Sequence, residues 1–347
     1  MPDNDTRGRS SGADLPRNEP PAILVTGGAG FIGSHLVDAL LSRHPRSTVT
    51  VLDAFTYAAD PLHLAQAGST GRLTIVRGSV EDRSLLGRLM KPGALVFHLA
   101  AESHVPRSFR DPGLFDRVNR QGTRNVLDAA LHAGVDRVIH FSTDEVYGSR
   151  LSAADEAAPF APSSPYARSK VAAEGEAEAM RRQGLDVTIL RPSNVIGPRQ
   201  HREKLLPCFI AKAMAGAPFP VEGDGRQQRT FLAVSDLVAA VGLVLERGAR
   251  NGTYNVAGAE SFDVRQVAQI VADVIGSPCS LTHVADRPAN DLAYMLDGAR
   301  LAGLGFQPRK GFRQSVRETA NAMARFRLGH VPPLSPAYEL RPTARVA

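Results

Sequence analysis

Tyr166 and Lys170 are four residues apart on a predicted helix, so their side chains lie on the same side of it. An ammonium group close to a phenol favours the phenolate and lowers the phenol pKa from about 10. Tyr166 could therefore act as a general base near neutral pH, and Lys170 could also reach the ribose of a nicotinamide nucleotide. The alternative is an ordinary amphipathic helix, because this spacing is common by itself.

A glycine-rich turn lies much earlier in the chain. Residues 23–33 read ILVTGGAGFIG, which is a short apolar run, three spaced glycines and the start of a helix. Gly27 permits a tight turn, Gly30 lets a pyrophosphate approach the backbone, and Gly33 lets the helix pack on the strand. The phosphates would meet the free N–H groups of the helix over residues 31–41. Strand, turn and helix together predict a dinucleotide site.

An acidic residue follows the next strand. Asp53 ends the apolar run over residues 48–52 and lies 20 residues after Gly33. A carboxylate at this place accepts hydrogen bonds from a ribose diol and repels a 2′-phosphate, so the sequence predicts NAD rather than NADP. The alternative is a glycine-rich turn in some other α/β protein.

These residues need a scaffold, and strands alternate with helices from residue 22 onward. Six strands with helical crossovers predict an α/β fold with a Rossmann-like, doubly wound parallel sheet. Ligands of such sheets bind beyond the carboxyl ends of the strands, where the polar residues of this chain cluster. The predicted strands are 23–25, 48–52, 73–76, 95–99, 137–141 and 187–190, and the predicted helices between them are 31–41, 83–90, 114–133 and 164–182.

The pattern loosens after Arg191, where Pro, Gly and Arg become frequent and helices are predicted over 205–215 and 264–275. We therefore predict a smaller C-terminal lobe that binds the substrate, with the chain crossing between the lobes more than once. The predicted division is a disordered leader over 1–20, an NAD-binding domain over 21–191, the smaller lobe over 192–330 and an irregular tail over 331–347.

Composition excludes several classes of function. The chain has 347 residues, 43% of them apolar, which suffices for about two domains. Its net charge is +6, but the basic residues are scattered and not interleaved with aromatic residues, so we predict no nucleic-acid partner. The basic residues are then part of a solvated surface. The alternative is that a few of them form a basic cleft for a diphosphate. Cys208 and Cys279 form no CxxC pair, so no metal site is predicted. No apolar run approaches 18 residues and the N-terminus lacks the apolar core of a signal peptide, which predicts a cytoplasmic protein without a membrane partner.

The glycine turn, Ser142-Thr143 and the Tyr166/Lys170 pair resemble the extended short-chain dehydrogenase/reductase family, whose members modify nucleotide sugars. The resemblance covers residues 22–325. Three stretches look most like the dTDP-glucose 4,6-dehydratase branch of that family: 98–104 (HLAAESH), 142–148 (STDEVYG) and 203–207 (EKLLP).

The resemblance implies a 4,6-dehydration of a dTDP- or UDP-linked hexose with tightly bound NAD. Tyr166 would take the C4 hydroxyl proton, assisted by Thr143 and Lys170. Glu145 would remove the C5 proton and Asp144 would protonate the leaving C6 hydroxyl. Mutual repulsion would help to separate the pKa values of the two acids. The alternative for this acidic pair is a solvated loop at a strand end.

The resemblance also implies binding residues and a homodimer built through helices 114–133 and 164–182. The implied cofactor-binding residues are Gly27, Gly30, Phe31, Ile32, Gly33, Asp53, Thr56, Ser79, Val80, Leu99, Ala100, Ala101, Ser103, Tyr166, Lys170 and Val195. The implied substrate-binding residues are Ser103, Thr143, Asn194, Lys204, Leu205, Arg229 and Asn290.

The chain departs from the dehydratase pattern around the sugar site. Pro106 replaces an Asp, in a form more like the 4-epimerases, and Asn290 replaces a His. Leu292 and Ala293 replace two arginines, and Ser79 stands where an adenine-contacting Asp is common. Three alternatives therefore stay open: a 4-epimerase, a dehydratase that releases an unsaturated sugar, and a catalytically silent sensor of the NAD/NADH ratio.

Overall fold

The computed structural model describes residues 19–327. Residues 1–18 of the predicted leader and the whole predicted tail lie outside this range. The last two residues of the predicted leader contact the rest of the chain, because Glu19 pairs with Arg46 and the Ser47 hydroxyl donates to the Pro20 carbonyl at 2.7 Å. Within the described range, no helix is long and apolar enough to cross a membrane.

The described residues alternate between strands and helices along the chain. The strands are β1 Ala22–Thr26, β2 Thr48–Asp53, β3 Leu73–Arg77, β4 Leu95–His98, β5 Arg137–Phe141, β6 Val187–Pro192, β7 Asn194–Ile196, β8 Phe219–Glu222, β9 Gln228–Ala233, β10 Thr253–Val256, β11 Glu260–Asp263, β12 Leu281–Val284 and β13 Ala293–Tyr294. The α-helices are α1 Phe31–Arg43, α2 Ala65–Gly68, α3 Arg83–Leu89, α4 Val105–Arg110, α5 Pro112–Phe115, α6 Gly122–Ala133, α7 Pro165–Arg181, α8 Leu205–Met214, α9 Val234–Arg247, α10 Val264–Ile275, α11 Ala299–Ala302 and α12 Phe312–Arg327. Short 3₁₀ turns occupy Pro61–Leu64 and Asp144–Tyr147, and a π-helical stretch occupies Asp116–Gln121.

Seven parallel strands form the main sheet, in the order β10-β6-β5-β4-β1-β2-β3. The chain winds outward from β1 to β3, returns to β4 and then winds the other way, so the order reverses between β1 and β4. This arrangement confirms the Rossmann-like, doubly wound fold. All six predicted strands are present, but the seventh strand, β10, was not predicted and comes from the stretch assigned to the smaller lobe.

Helices cover both faces of this sheet, which explains why its central strands are almost continuously apolar. One face packs against α1, α9 and α11 around Leu36, Val37 and Leu237. The other face packs against α3, α6 and α7, with Leu86 and Leu127 fully buried there. Helix α9 lies after residue 191. The helical layer on the first face of the sheet is therefore completed by a segment beyond the predicted end of the NAD-binding domain.

The smaller lobe is built on short strands. Strand β9 pairs with β11, β13 and β7, and β8 pairs separately with β12. Helices α8, α10 and α12 pack on these strands around a core that contains Phe209, Phe231 and Val316. The exact domain division remains a prediction, and the chain does cross between the lobes, since α9 and β10 return to the main sheet.

The predicted helix over 114–133 is one helical path that begins earlier, at Pro112, and includes the π-helical stretch. Asn119 in that stretch accepts a hydrogen bond from the Glu102 backbone N–H at 2.8 Å and donates to the Glu102 carbonyl and to the Ser169 hydroxyl, each at 2.9 Å. A π-helical turn holds one more residue than an α-helical turn. Here that turn places the buried side-chain amide of Asn119 against Glu102, and the amide fixes the loop that follows β4.

Candidate active site

A cavity of about 430 Å³ lies beyond the carboxyl ends of β1, β4 and β5, at the point where the strand order reverses. This is where doubly wound sheets bind their ligands. Every residue predicted to bind the cofactor lines this cavity: Gly27, Gly30, Phe31, Ile32, Gly33, Asp53, Thr56, Ser79, Val80, Leu99, Ala100, Ala101, Ser103, Tyr166, Lys170 and Val195.

The glycine turn is a close-packed cradle between β1 and α1. Gly27 has a φ of +72°, and a Cβ there would lie 2.7 Å from the backbone N of Ala100. A Cβ on Gly33 would lie 2.2 Å from the Gly27 carbonyl oxygen, so the first turn of α1 closes directly on β1. These contacts leave the backbone N–H groups at the start of α1 facing the cavity, as a pyrophosphate site requires.

Asp53 ends β2 at the rim of the same cavity and is 7% exposed. Its carboxylate accepts the Ala29 N–H at 2.9 Å and the Phe55 N–H at 2.8 Å. Burial raises the pKa of Asp53, and the two N–H donors oppose that shift. A carboxylate accepts about four hydrogen bonds, so Asp53 can hold the glycine turn and still bind a ribose diol.

The residues Thr143, Asp144 and Glu145 follow β5 and begin a 3₁₀ turn. The Thr143 hydroxyl caps this turn by accepting the Glu145 N–H at 3.3 Å, and it donates to Asp144 Oδ1 at 3.1 Å. Asp144 Oδ2 is buried and has no hydrogen-bond partner within the described residues. Asp144 itself lines the cavity.

The two adjacent acids have different surroundings. Burial, and next the charge of Glu145, raise the pKa of Asp144 to about 7. Burial also raises the pKa of Glu145, but Arg287, Arg229 and Lys204 oppose that shift in this order. The three cations limit the rise in the Glu145 pKa, whereas the charge of Glu145 adds to the rise in the Asp144 pKa. The more strongly raised group, Asp144, is therefore the better candidate for an acid, and Glu145 is the better candidate for a base.

Tyr166 lies in the first turn of α7, which begins after Ser164, whose hydroxyl accepts the Ala167 N–H at 3.0 Å. The expectation that Lys170 lowers the pKa of Tyr166 differs from the structure. Burial raises the pKa of Tyr166, the charges of Glu145 and Asp144 add to the rise, and only a hydrogen bond with Thr143 opposes it. Sequence spacing could not reveal how completely the phenol is buried beside two carboxyl groups.

Lys170 is also buried, and its ammonium group donates to the Phe141 carbonyl at 2.5 Å. Burial lowers the pKa of Lys170 to about 8, and the charge of Glu174 opposes that shift. The ammonium thus ties α7 to the end of β5, and Lys170 lines the cavity.

A buried ion pair supports this strand end from behind. Glu174 binds the Arg191 guanidinium through both carboxylate oxygens, and the Ser142 hydroxyl donates to Glu174 at 2.5 Å. Arg191 also donates to the Tyr147 hydroxyl. Both ends of the catalytic turn, Ser142 and Tyr147, are therefore fixed by one network.

A second cavity of about 320 Å³ adjoins the first and shares Ser103, Glu145, Asn194 and Lys204 with it. Lys204 donates to the Ser103 carbonyl at 2.9 Å. The structure brings the predicted substrate residues together around these two cavities. Thr143 lines the first cavity, and Ser103, Asn194, Lys204, Leu205, Arg229 and Asn290 line the second.

Arg229 is the best-fixed cation of the second cavity and is 7% exposed. It donates to the Asp291 carbonyl at 3.0 Å and to Asn290 Oδ1 at 3.5 Å, and its guanidinium lies 4.4 Å from the centre of the Tyr294 ring. A guanidinium held flat in this way presents a planar fork of donors, which suits a diphosphate.

The structure adds residues that the sequence prediction missed. Arg287, Tyr294 and Gln227 line the second cavity, and Arg287 is the first cation that opposes the rise in the Glu145 pKa. Arg287 could have been found from the Asp-Arg-Pro stretch that contains it. Tyr294 and Gln227 had no such signal, because their place in the site depends on how β9 and β13 pair.

Comparisons with known proteins agree with this geometry. The sequence model of the NAD dependent epimerase/dehydratase family matches residues 23–257. The chain is 41% identical over 306 residues to a dTDP-glucose 4,6-dehydratase of Actinoplanes sp., covering 86% of this chain and 96% of the relative. It is 40% identical over 305 residues to a dTDP-glucose 4,6-dehydratase of Streptomyces niveus, with 86% and 91% covered.

Solved structures of nucleotide-sugar dehydratases and epimerases are also similar to this chain. The dTDP-glucose 4,6-dehydratase DesIV of Streptomyces venezuelae, solved with NAD bound, has a TM-score of 0.85 at 40% identity and covers 90% of this chain and 100% of its own. A UDP-glucose 4-epimerase of Thermotoga maritima, solved with UDP-glucose, has a TM-score of 0.82 at 28% identity and covers 88% and 99%.

Proposed function

Because this chain belongs to the NAD dependent epimerase/dehydratase family, we propose that it is an NAD-dependent nucleotide-sugar 4,6-dehydratase. It converts a dTDP- or UDP-linked hexose into the 4-keto-6-deoxy sugar with loss of water. One observation carries this proposal: two acids, Asp144 and Glu145, are adjacent at the cavity in unlike surroundings. Three nearby cations oppose the rise in the Glu145 pKa, whereas the charge of Glu145 adds to the rise in the Asp144 pKa. Dehydration needs such an acid and base, whereas epimerisation at C4 does not.

The first cavity fits NAD. Gly27 and Gly33 leave no room for a Cβ, so the backbone at the start of α1 is open to a pyrophosphate, and the Asp53 carboxylate suits a ribose diol. Bound NAD supplies a hydride acceptor for C4, a hydride donor for C6 and a positive charge that favours ionised groups around it.

Oxidation at C4 requires a base at the C4 hydroxyl. Tyr166 takes this proton, and Thr143 hydrogen-bonds to the phenol and holds the C4 oxygen. The raised pKa of the free phenol makes it a strong base once ionised, so ionisation must coincide with substrate and cofactor binding. Lys170 stays charged against the Phe141 carbonyl and contributes positive charge to this side of the cavity.

Elimination uses the two acids in opposite roles. The 4-ketone acidifies the C5 proton, which Glu145 removes, while Asp144 donates its proton to the C6 hydroxyl so that water leaves. Glu145 returns its proton to C5 when the hydride reaches C6. The proton held by Tyr166 then restores Asp144, and the Thr143 hydroxyl, hydrogen-bonded to both groups, connects them.

The 4-epimerase remains the second candidate because of Pro106, which lies in the first turn of α4 and lines the second cavity. The experiment that separates the two incubates the purified protein with dTDP-glucose, UDP-glucose and UDP-N-acetylglucosamine and follows product mass and the alkaline absorbance of a 4-keto sugar. Loss of one water with the chromophore supports the dehydratase. An isomer of unchanged mass would contradict it.

We also propose a homodimer in the cytoplasm. The helical segment from Pro112 to Ala133 packs beside α7, and together they offer one surface for a second copy of the chain. Cys208 and Cys279 are free thiols, which suits a reducing compartment. A gel-filtration mass near that of the monomer would contradict the dimer.

A further inference from the structure

The second cavity contains a buried amide that none of the steps above uses. Gln227 is 7% exposed, lines the cavity and has no partner for Oε1 among the described residues. Unpartnered atoms of Asn194 and Gln200 belong to residues that line both cavities, and those of His104, Glu203 and Arg287 belong to ionisable side chains with a charged group within 4 Å. Among the described residues, Gln227 is the neutral amide with an unpartnered atom that lines the second cavity and not the first. A buried polar atom without a partner is costly unless a ligand satisfies it.

The position of Gln227 along the chain relates it to Arg229. Both side chains are buried on the same side of the chain entering β9, while Gln228 between them is exposed. Two residues of a strand span about 7 Å. If Arg229 binds the diphosphate, as the proposed function requires, a side chain about 7 Å away is at the distance of the nucleoside. Gln227 lines only the second cavity, whereas Tyr166 and Asp144, which act on the sugar in the proposed function, line the first, so we place Gln227 on the nucleoside side of Arg229.

The second cavity also has apolar walls. Phe209, Pro220, Phe231 and Val264 line it, so a base can be buried against apolar surface. The hydrogen bond from Gln227 Nε2 to the Glu222 carbonyl at 3.3 Å uses the donor side of the amide. The unpartnered group of Gln227 is therefore an acceptor, Oε1, and a small shift of this side chain would offer it to a ring N–H.

We propose that Gln227 selects the nucleobase of the substrate by accepting the N3–H of an imide pyrimidine. Thymine and uracil both carry this N–H, so both dTDP- and UDP-sugars satisfy it. Cytosine carries a lone pair at ring N3, which would face Oε1 without a proton between them. The inference rests on the proposed function for the position of the diphosphate, and it adds the residue that would distinguish thymine and uracil from cytosine.

The test measures equilibrium binding of dTDP, UDP, CDP and N3-methyl-dTDP to the NAD-loaded protein by calorimetry. We expect dTDP and UDP to bind with similar affinity, and CDP and the methylated nucleotide to bind about ten- to a hundredfold more weakly. Gln227→Leu should bring dTDP down to the affinity of CDP. Gln228→Leu, which changes the exposed neighbour, should leave all four affinities unchanged.

Equal binding of dTDP and N3-methyl-dTDP by the unaltered protein would overturn the inference, and so would a Gln227→Leu variant that still discriminates. Thermal melting and NAD content establish that both variants are folded. The readout needs no turnover, so the two proposals fail separately. Base selection without dehydration would contradict only the proposed function, and equal dehydration of CDP-glucose and dTDP-glucose would contradict only the role of Gln227.

Discussion

Two neighbouring carboxyl groups, Asp144 and Glu145, both have raised pKa values, but the surroundings that shift them differ. Asp144 is enclosed and hydrogen-bonded only through one oxygen, so burial dominates and its pKa is raised to about 7. For Glu145, the charges of Arg287, Arg229 and Lys204 oppose the same effect. The proposed division of roles therefore depends on position, since the two side chains differ by only one methylene group.

Asp144→Asn should separate oxidation from dehydration. The amide cannot donate a proton to the C6 hydroxyl, so product formation should fall by about 10²- to 10⁴-fold. Tyr166 and Thr143 are unchanged, so oxidation of C4 should persist and appear as NADH absorbance on addition of dTDP-glucose. Asp224→Asn, at an exposed turn, is the matched control and should react normally. A D144N protein with undiminished product formation would refute the acid role.

The same residue should make stability depend on pH. The pKa of Asp144 is raised from 3.8 to about 7 on folding, so the folded state binds this proton more tightly than the unfolded state. The stability contributed by this proton is present below pH 4 and is lost as the pH rises to 7. An asparagine at this position has no proton to lose, so the D144N protein should not lose this stability as the pH rises. The free energy of unfolding of D144N minus that of the unaltered protein should therefore increase between pH 5 and 8. We call this difference the advantage of D144N.

We expect that growth to be on the order of one to a few kcal/mol. Urea unfolding of both proteins at the two pH values measures it, with the D224N variant again as control. An advantage that stays constant with pH would show that Asp144 is ionised in the folded protein at pH 5.

At the scale of elements, the site is held by the places where strands end and helices begin. The glycine turn packs against the backbone after β4, and the Glu174–Arg191 pair fixes the turn after β5. Both contacts are buried, so the catalytic groups are positioned by the core of the sheet and only slightly by exposed loops.

Gly33→Ala tests the first of these contacts. Its Cβ would lie 2.2 Å from the Gly27 carbonyl oxygen, so α1 must move away from β1 and the pyrophosphate site must open. We expect lower thermal stability and purification without NAD. The matched control is Gly175→Ala on α7, where a Cβ meets nothing within 4 Å and where alanine favours the helix. A G33A protein with full NAD content would contradict this account of the turn.

These elements could be predicted from the sequence because their signals are local. The glycine-rich turn around Gly27 and the helix that carries Tyr166 and Lys170 can each be identified from a few neighbouring residues. The raised pKa of Tyr166 could not be predicted, since it depends on burial and on Glu145 and Asp144 from another element. The Asp-Arg-Pro stretch could have identified Arg287, but its effect on the pKa of Glu145 could not be predicted, because Glu145 is far away in the chain.

At the scale of the whole molecule, segments from the second part of the chain complete the larger lobe. Strand β10 completes the main sheet beside β6, and α9 covers the same face as α1. The sequence predicted crossings but not which segments cross, because β10 is only the four residues Thr253–Val256. A stretch of four residues is too short to show the alternation of apolar and polar residues that marks a strand. Its position in the main sheet is decided by pairing with β6.

A shortened chain ending at residue 191 should therefore not fold, although it contains all six predicted strands. It would lack β10 and α9, and Leu36 and Val37 of α1 would lose the partners that bury them. We expect insoluble protein, or soluble protein without a cooperative thermal transition, whereas a chain of residues 19–327 should melt cooperatively. Circular dichroism during heating measures both. A well-folded 1–191 fragment would show that the first lobe is independent.

The central claim is that the sugar loses water between two hydride transfers. The most direct measurement supplies dTDP-glucose with deuterium at C4 and locates the label in the product by NMR. The account predicts a 4-keto-6-deoxy sugar that carries the deuterium at C6, because the hydride removed from C4 returns there after Asp144 and Glu145 have completed the elimination. Deuterium found again at C4 of an epimer would contradict it and would assign the chain to the 4-epimerases.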